Sequence, residues 1–526
     1  MVNNKVIIFD TTLRDGEQTA GFRLGANEKL EIAKQLMALK VDVIEAGYPI
    51  SSPEDFKAVS IISEVVEGPI ITALSRIVEA DIDECAKALA KAKRPRIHTG
   101  VGVSDAHVLG KFKDDKYGKT KDEKREYLFQ KAVNAVRHAK RYVDDVQFYA
   151  EDAGRCDEAY LFKVIEGVID AGATVINIPD TTGYSVPEQF GDLIAAVKKN
   201  VPNIHKAMIS IHCHNDLGMA VANTLAGVRN GAHQVECTIN GIGERAGNAA
   251  LEEVVMALRT RCDYFGVDTN IESRELYKSC QLVAKRFGMT VPPNKAVVGG
   301  NAFAHSSGIH ADGVLKDKNT YEIMRPQDIG MEEGKIILTA RSGRRALQHR
   351  LEELGYELLP EEIEKIYARF LIEADKIKEV SDQALQAIVE DEVRISPKMY
   401  DLVSMEISTT IDASLATVKI RVGSDVKQES ASGDGPIDAI FKAINKFVDF
   451  HVRLVDYAVK TTSSGEEALG EATVQIEGKG KIVNGYGAST NIIEASAKAY
   501  IDGLNKLVVM NECNLKQSCN DSGRIA

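Results

Sequence analysis

Short apolar runs alternate with amphipathic stretches through the first 265 residues. The runs are 6–9 (VIIF), 43–46 (VIEA), 69–74 (PIITAL), 96–102 (RIHTGVG), 145–150 (DVQFYA), 174–178 (TVINI), 208–212 (MISIH) and 235–239 (VECTI). Each is brief and largely apolar, as a strand covered on both faces should be. Helical spacing occupies the intervals, for example 28–40, where Leu30, Ala33, Leu36 and Met37 share a face and Asn27 is placed to cap. Similar stretches lie near 54–66, 78–93, 121–141, 156–171, 187–200, 217–231 and 248–264. Eight strand–helix units predict an α/β fold: a parallel sheet with right-handed crossovers, closed as a (β/α)8 TIM barrel. An open doubly wound sheet is the alternative, but no Gly-x-Gly-x-x-Gly follows the first run to favour a dinucleotide site.

The rhythm changes after residue 265. Residues 266–394 read as a linker with helical subdomains: a turn-rich segment VPPNKAVVGGNAFAHSSGIHADG, then amphipathic helices at 341–355 and 360–380, with Pro360 suited to a first helical turn. Residues 395–513 read as an α+β domain, with strands at 401–410, 414–422, 452–461 and 471–485 and helices at 436–449 and 490–509. The helices echo each other, AINKFV (443–448) against GLNKLV (503–508), which predicts two ββα-type repeats. Residues 514–526 read as a frayed polar tail.

Charge and cysteine usage narrow the function classes. Lys plus Arg number 65 against 77 Asp plus Glu, a net charge of −12, without a basic stretch. Trp is absent and aromatics are 6 %. Nucleic acid and anionic membrane are therefore poor partners. No run approaches the ~20 apolar residues of a membrane span, and the first apolar tetrad is too short for a signal peptide. The eight cysteines are scattered without a Cys-x-x-Cys pair, which suits reduced thiols in the cytoplasm.

Ionisable residues crowd the ends of the predicted strands. The first ends in Asp10 and runs into Arg14-Asp15-Gly16-Glu17; the second ends in Glu45, the fifth in Glu151-Asp152, the sixth in Asp180-Thr181 and the seventh in His212-Cys213-His214. Barrel enzymes carry their chemistry at this rim. So many buried charges would be costly without a partner, and a cation would supply one. His212 and His214, two apart on a strand, project to the same side. They are either hydrogen-bonded rim residues or two nitrogen ligands of one metal, with an aspartate from the first strand's end completing a facial set. Arg14 suits a carboxylate or ketone, or simply balances Glu45 or Glu151.

TLRDGEQ (12–18) with Lys29, HCHNDLGMAVAN (212–223) and NGIGERAGN (240–248) resemble the α-isopropylmalate synthase and homocitrate synthase family, barrel enzymes that join acetyl-CoA to a 2-oxo acid. Residues 294–316, the RSGR segment 341–344 and the repeated C-terminal domain are similar to the isopropylmalate branch, whose regulatory domain binds leucine. The resemblance implies a divalent cation (Mn2+, Mg2+ or Zn2+) on Asp15, His212 and His214, with Asn248 as a further ligand or water holder. It implies that Arg14 and Thr181 contact the oxo acid, that Glu45 and Tyr149 line its pocket, and that Glu151 and His310 do acid–base work with Tyr321 placing the histidine. It also implies a homodimer inhibited by leucine. Glycine turns before the C-terminal helices, at Gly435 and at Gly487-Ala488, suit a small carboxylate ligand. Tyr149 would narrow the pocket towards pyruvate, so a citramalate synthase is the nearest rival. A non-catalytic leucine sensor and a lyase are the other readings.

Overall fold

The computed structural model describes residues 5–305, 307–332, 338–356, 358–375, 380–393, 399–410, 413–461 and 470–521. All eight predicted barrel strands form: β1 (Ile7–Asp10), β2 (Val43–Glu45), β3 (Ile70–Arg76), β4 (Pro95–Gly102), β5 (Val146–Glu151), β6 (Val175–Asp180), β7 (Met208–Cys213) and β8 (Gln234–Cys237). They pair in sequence order, all parallel, and close where Ile7 of β1 stands against Gln234 of β8. The outward positions of the wall, such as Ile97, Phe148, Ile176, Ile211 and Val235, are apolar and buried beneath the helices. The inward positions are polar. Arg96 of β4 donates to Gln147 of β5 (3.1 Å) and Gln234 of β8 (2.8 Å), and Gln234 donates to Ser210 of β7 (2.8 Å).

Two local readings are corrected. The first barrel helix is Ala26–Ala38, so Asn27 lies inside its first turn and Gly25 is the cap; the Glu28 carboxylate accepts from the Gly25 N–H (2.9 Å). A short helix, Asp105–Lys111, follows β4 without a predicted counterpart; its Ser104 cap accepts from the His107 N–H (3.2 Å).

The chain divides into two compact units: residues 1–303 with 323–334, and residues 304–322 with 335–526. Residues 266–303 thus belong with the barrel. In the second unit, helices Arg344–Glu353, Pro360–Ala374 and Asp382–Val393 share a core of Leu347, Ile366, Phe370 and Leu385.

The C-terminal repeat is βββα, one strand longer than the ββα pattern predicts. Its strands are β9 (Tyr400–Thr409), β10 (Ser414–Val422), β11 (Asp425–Gly433), β12 (Val452–Thr461), β13 (Gly470–Gly478) and β14 (Lys481–Ser489). They make two antiparallel sheets, β11-β10-β9 and β12-β13-β14, each followed by a helix, Pro436–Asn445 and Ile492–Asp521. β11 (DVKQESASG) is polar and escapes an apolar search. Residues 471–485 are two strands folded at Lys479 (φ 50°) and Gly480 (φ 74°), the left-handed pair that a tight hairpin requires. The last helix runs on to Asp521, through most of the stretch read as a tail. Both repeats feed one core, in which Phe441 and Tyr500 stack at 4.3 Å.

Candidate active site

His212 on β7 and His214 just beyond it turn into the barrel mouth, as a period of two requires. Their Nε2 atoms are 3.1 Å apart, and His214 Nε2 is 4.0 Å from Asp15 Oδ2. One ligand atom from each of Asp15, His212 and His214 lies within 4.8 Å of the others, and all three residues are buried. Asp15 stands in the turn after β1, where its N–H donates to the Thr11 hydroxyl (3.2 Å). Asn248 pairs with His214 through a backbone bridge and donates its amide to Asp15 and to the Ile242 carbonyl. Gly243 (φ +149°) is glycine for a reason: a Cβ would strike the Asn248 amide and come within 2.8 Å of Asp15.

The donor set fits a divalent cation. His214 Nδ1 faces the Gly247 carbonyl (3.2 Å), which can only accept, so its proton sits there and Nε2 keeps its lone pair. Burial, then the neighbouring His212, pushes His214 down to about 4, and burial lowers His212 as well. Burial works to raise the Asp15 carboxyl, but Arg14 and the two imidazoles outweigh it and hold it below the usual range. The site therefore presents neutral imidazoles and a carboxylate near neutral pH. The Asn248 Oδ1 is buried without a hydrogen-bond partner, an acceptor aimed at no protein donor.

Arg14 is clamped by two acids, Nη1 to Asp15 (2.8 Å) and Nε to Glu45 (2.7 Å). Glu45 is fully buried, and its oxygens are already taken by Thr11 (2.6 Å), Arg14 and His98 (2.8 Å). Burial alone would raise its carboxyl; Arg14 and His98 keep it well below the carboxylate range. Glu45 thus holds Arg14 from beneath, with both of its oxygens already engaged by protein partners.

Tyr149 on β5 lies in register with Gly100 on β4, where any side chain would collide with its ring. The ring packs edge-on against His98 (5.0 Å), and the hydroxyl donates to the Ser75 carbonyl (3.3 Å). Thr181, after β6, accepts from the Asp152 N–H (2.8 Å) through its hydroxyl oxygen. Glu151 ends β5 between Lys111 (2.7 and 2.8 Å) and His107 (3.5 Å). Burial works to raise it, yet these partners bring it down to about 2, far from the value a general base needs.

His310 and Tyr321 fall in the second unit, His310 on the short helix Gly308–Lys316. Their rings stack at 4.3 Å, with His310 exposed. Gly313 lets the tyrosine approach the helix, since a Cβ there would be 2.6 Å from the ring. Of the effector candidates, Gly435 caps the helix Pro436–Asn445 with nothing within 4 Å of its would-be Cβ. Gly487 is different: a Cβ would strike Ala495 and Ala499 of the last helix, so this glycine serves sheet–helix packing. Gly487 and Ala488 nevertheless border a cavity of about 410 Å3 with Arg369, Tyr400, Tyr486 and Lys498.

Glu236 was missed by the sequence reading. It faces His212 Nδ1 at 3.0 Å from β8, and burial pushes it up to about 7. The same period of two that selects His212 and His214 would have found it in the run QVEC. His107 and Lys111 were missed with their helix.

This arrangement defines a class, a closed parallel barrel with a candidate three-ligand metal site and a guanidinium at its mouth. Comparison then gives the family. Residues 5–283 match the family described as HMGL-like, 297–378 the homocitrate synthase post-HMGL domain-like family, and 379–508 the LeuA allosteric (dimerisation) domain. The 2-isopropylmalate synthase of Carboxydothermus hydrogenoformans is 51 % identical over 506 residues, 96 % of this chain and 98 % of the relative. That of Pyrococcus furiosus is 51 % identical over 96 % of this chain and 99 % of its own length, and that of Dictyoglomus turgidum 50 % over 96 % and 99 %. The chain belongs to the 2-isopropylmalate synthase family.

Proposed function

We propose that the chain is an acyltransferase that condenses acetyl-CoA with 2-oxoisovalerate and water to give 2-isopropylmalate and CoA, acting in the cytoplasm as a homodimer restrained by leucine. The carrying observation is the Asp15–His212–His214 cluster with the Arg14 guanidinium beside it, in a chain related to these synthases along nearly its whole length. Among the described residues no helix is long and apolar enough to cross a membrane.

A divalent cation (Mn2+, Mg2+ or Zn2+) on Asp15, His212 and His214 would supply Lewis-acid polarisation of the ketone. Arg14 keeps guanidinium N–H groups beyond those given to Asp15 and Glu45, and these suit the oxo acid's oxygens. The Thr181 oxygen already accepts from Asp152, leaving the hydroxyl proton to donate to the substrate carboxylate. Glu151, held ionised by Lys111, is a weak base. The acetyl methyl proton is therefore assigned to the His310 imidazole, which Tyr321 holds by stacking. The methyl carbon bonds to the ketone carbon, and hydrolysis of the thioester releases CoA.

The LeuA match supports a dimer and a leucine site in the C-terminal repeat. Gly435 borders the open helix start, and the cavity beside Gly487 and Ala488 offers both charge signs. A chain truncated near residue 390 loses leucine sensitivity on this reading. Thiol release from acetyl-CoA with a panel of 2-oxo acids tests the function: 2-oxoisovalerate should lead. A wide margin for pyruvate establishes citramalate synthesis instead, and no release with any acid leaves the leucine sensor.

A further inference from the structure

Below the cation ligands, the barrel interior carries a hydrogen-bonded chain that runs from Arg14 to His212 through residues given no part in the chemistry above. Arg14 Nε donates to Glu45 (2.7 Å), and the other Glu45 oxygen faces His98 Nδ1 (2.8 Å). His98 Nε2 is 3.2 Å from Gln147 Nε2, which is also 2.5 Å from Glu236 Oε1. The second Glu236 oxygen faces His212 Nδ1 (3.0 Å). Glu45, His98, Gln147 and Glu236 are each 0–1 % exposed, so bulk water does not reach them and they bond to one another.

The protons can be placed along this chain. Arg96 can only donate, and it binds the Gln147 oxygen (3.1 Å) together with the Gln234 amide (2.9 Å). That contact sets the Gln147 amide, so its Nε2 is the donor towards both His98 and Glu236. His98 Nε2 must then accept, which puts the imidazole proton on Nδ1, directed at Glu45. Each link specifies the next, and every member is satisfied. Such a network stiffens a buried site, and a missing member leaves an uncompensated polar group.

We infer that His98 and Gln147 are positioning residues that hold Arg14, through Glu45, and His212, through Glu236, in one frame, so that the oxo-acid anchor and the cation ligand are aligned together. This rests on the metal-assisted condensation proposed above. It extends that reading from the rim down into the barrel, to residues outside the Asp15–His212–His214 cluster.

The test uses the full chain, with Co2+ as the probe, followed by its visible absorption, and with steady-state kinetics on 2-oxoisovalerate. Glu236→Gln keeps shape and still accepts from Gln147, but turns an amide N–H towards His212 Nδ1. The histidine proton must then move to Nε2, the atom facing Asp15 and His214, and Co2+ affinity should fall about 10- to 100-fold. Gln147→Leu should lower it about tenfold. His98→Leu, which removes the Glu45 donor, should raise KM for the oxo acid about tenfold, and His98→Asn, which restores a donor at that position, should bring KM back. If Gln147→Leu does not fold, the isosteric Glu236→Gln carries the metal half alone. Folded variants with lower thermal midpoints but wild-type Co2+ affinity and KM overturn the inference. A wild-type protein that binds no Co2+ overturns the metal reading itself, and this inference with it.

Discussion

The interior of the barrel and the interior of the C-terminal repeat are built on opposite principles. The repeat packs Val418, Ile420, Ile440 and Ile444 against Val474, Ile476 and Leu504, an apolar core between sheets and helices. The barrel turns its apolar residues outward and fills its centre with Arg96, His98, Gln147, Gln234, Glu45 and Glu236, all buried. Burying so many polar groups is unfavourable unless each finds a partner, whereas an apolar core is stabilised by its own removal from water. The contrast separates tasks. A region that accepts the cost of desolvated charge holds reactive groups in place, and a region that does not is a module for folding and binding.

That contrast can be broken by substitution, beginning with the largest expected effect. His212→Ala should remove the cation and lower turnover by at least about three orders of magnitude, the scale of several kcal/mol of lost charge stabilisation. Far-ultraviolet dichroism should meanwhile stay that of wild type, because a rim residue is lost and no core is opened. Full metal content with full activity would refute the assignment. His310→Ala should cost about 10²–10⁴-fold, in kcat more than KM. Mixing it with His212→Ala after subunit exchange should restore part of the activity if His310 serves the partner's barrel, and no recovery would place both in one chain's site.

In the repeat, the sign of the outcome reverses, with stability lost before chemistry. Gly487→Ala forces a methyl into the last helix and should destabilise by about 1–3 kcal/mol in urea titrations. Gly435→Ala meets open space and should stay within about 0.5 kcal/mol. Equal midpoints for the two would show that Gly487 is not a packing glycine.

The smallest effect is the one set by pH. The Glu151 carboxyl sits at about 2 when folded, below the ordinary 4.5, so its pairing contributes stability that is fully present above about pH 4.5. That contribution fades as pH falls through 2. Urea midpoints of wild type and Glu151→Gln should therefore differ at pH 6 and converge at low pH. A gap that widens on acidification would contradict the ion pair with Lys111.

Periodicity alone was sufficient for the barrel, because eight short apolar runs separated by helical spacing admit few closed arrangements. It turned His212 and His214 to one side, because side-chain direction in a strand follows from position, and it put Arg14 and Asp15 on the same rim only as the turn that follows the first strand. The third strand of each C-terminal repeat was out of reach, since β11 is polar and held by its ladder to β10, and β13 and β14 are divided only by the turn at Lys479-Gly480. Local sequence could not say which acids are free. Glu45, Glu151 and Glu236 look alike as letters in strand ends. Partners 24 to 53 residues away made one a clamp for Arg14, one an ion pair with Lys111 and one a buried acid behind His212. A chain's own pattern determines which elements form and which way their residues point. Protonation and hydrogen-bond partners are decided only when closure of the barrel brings distant strands within 3 Å and removes the water between them.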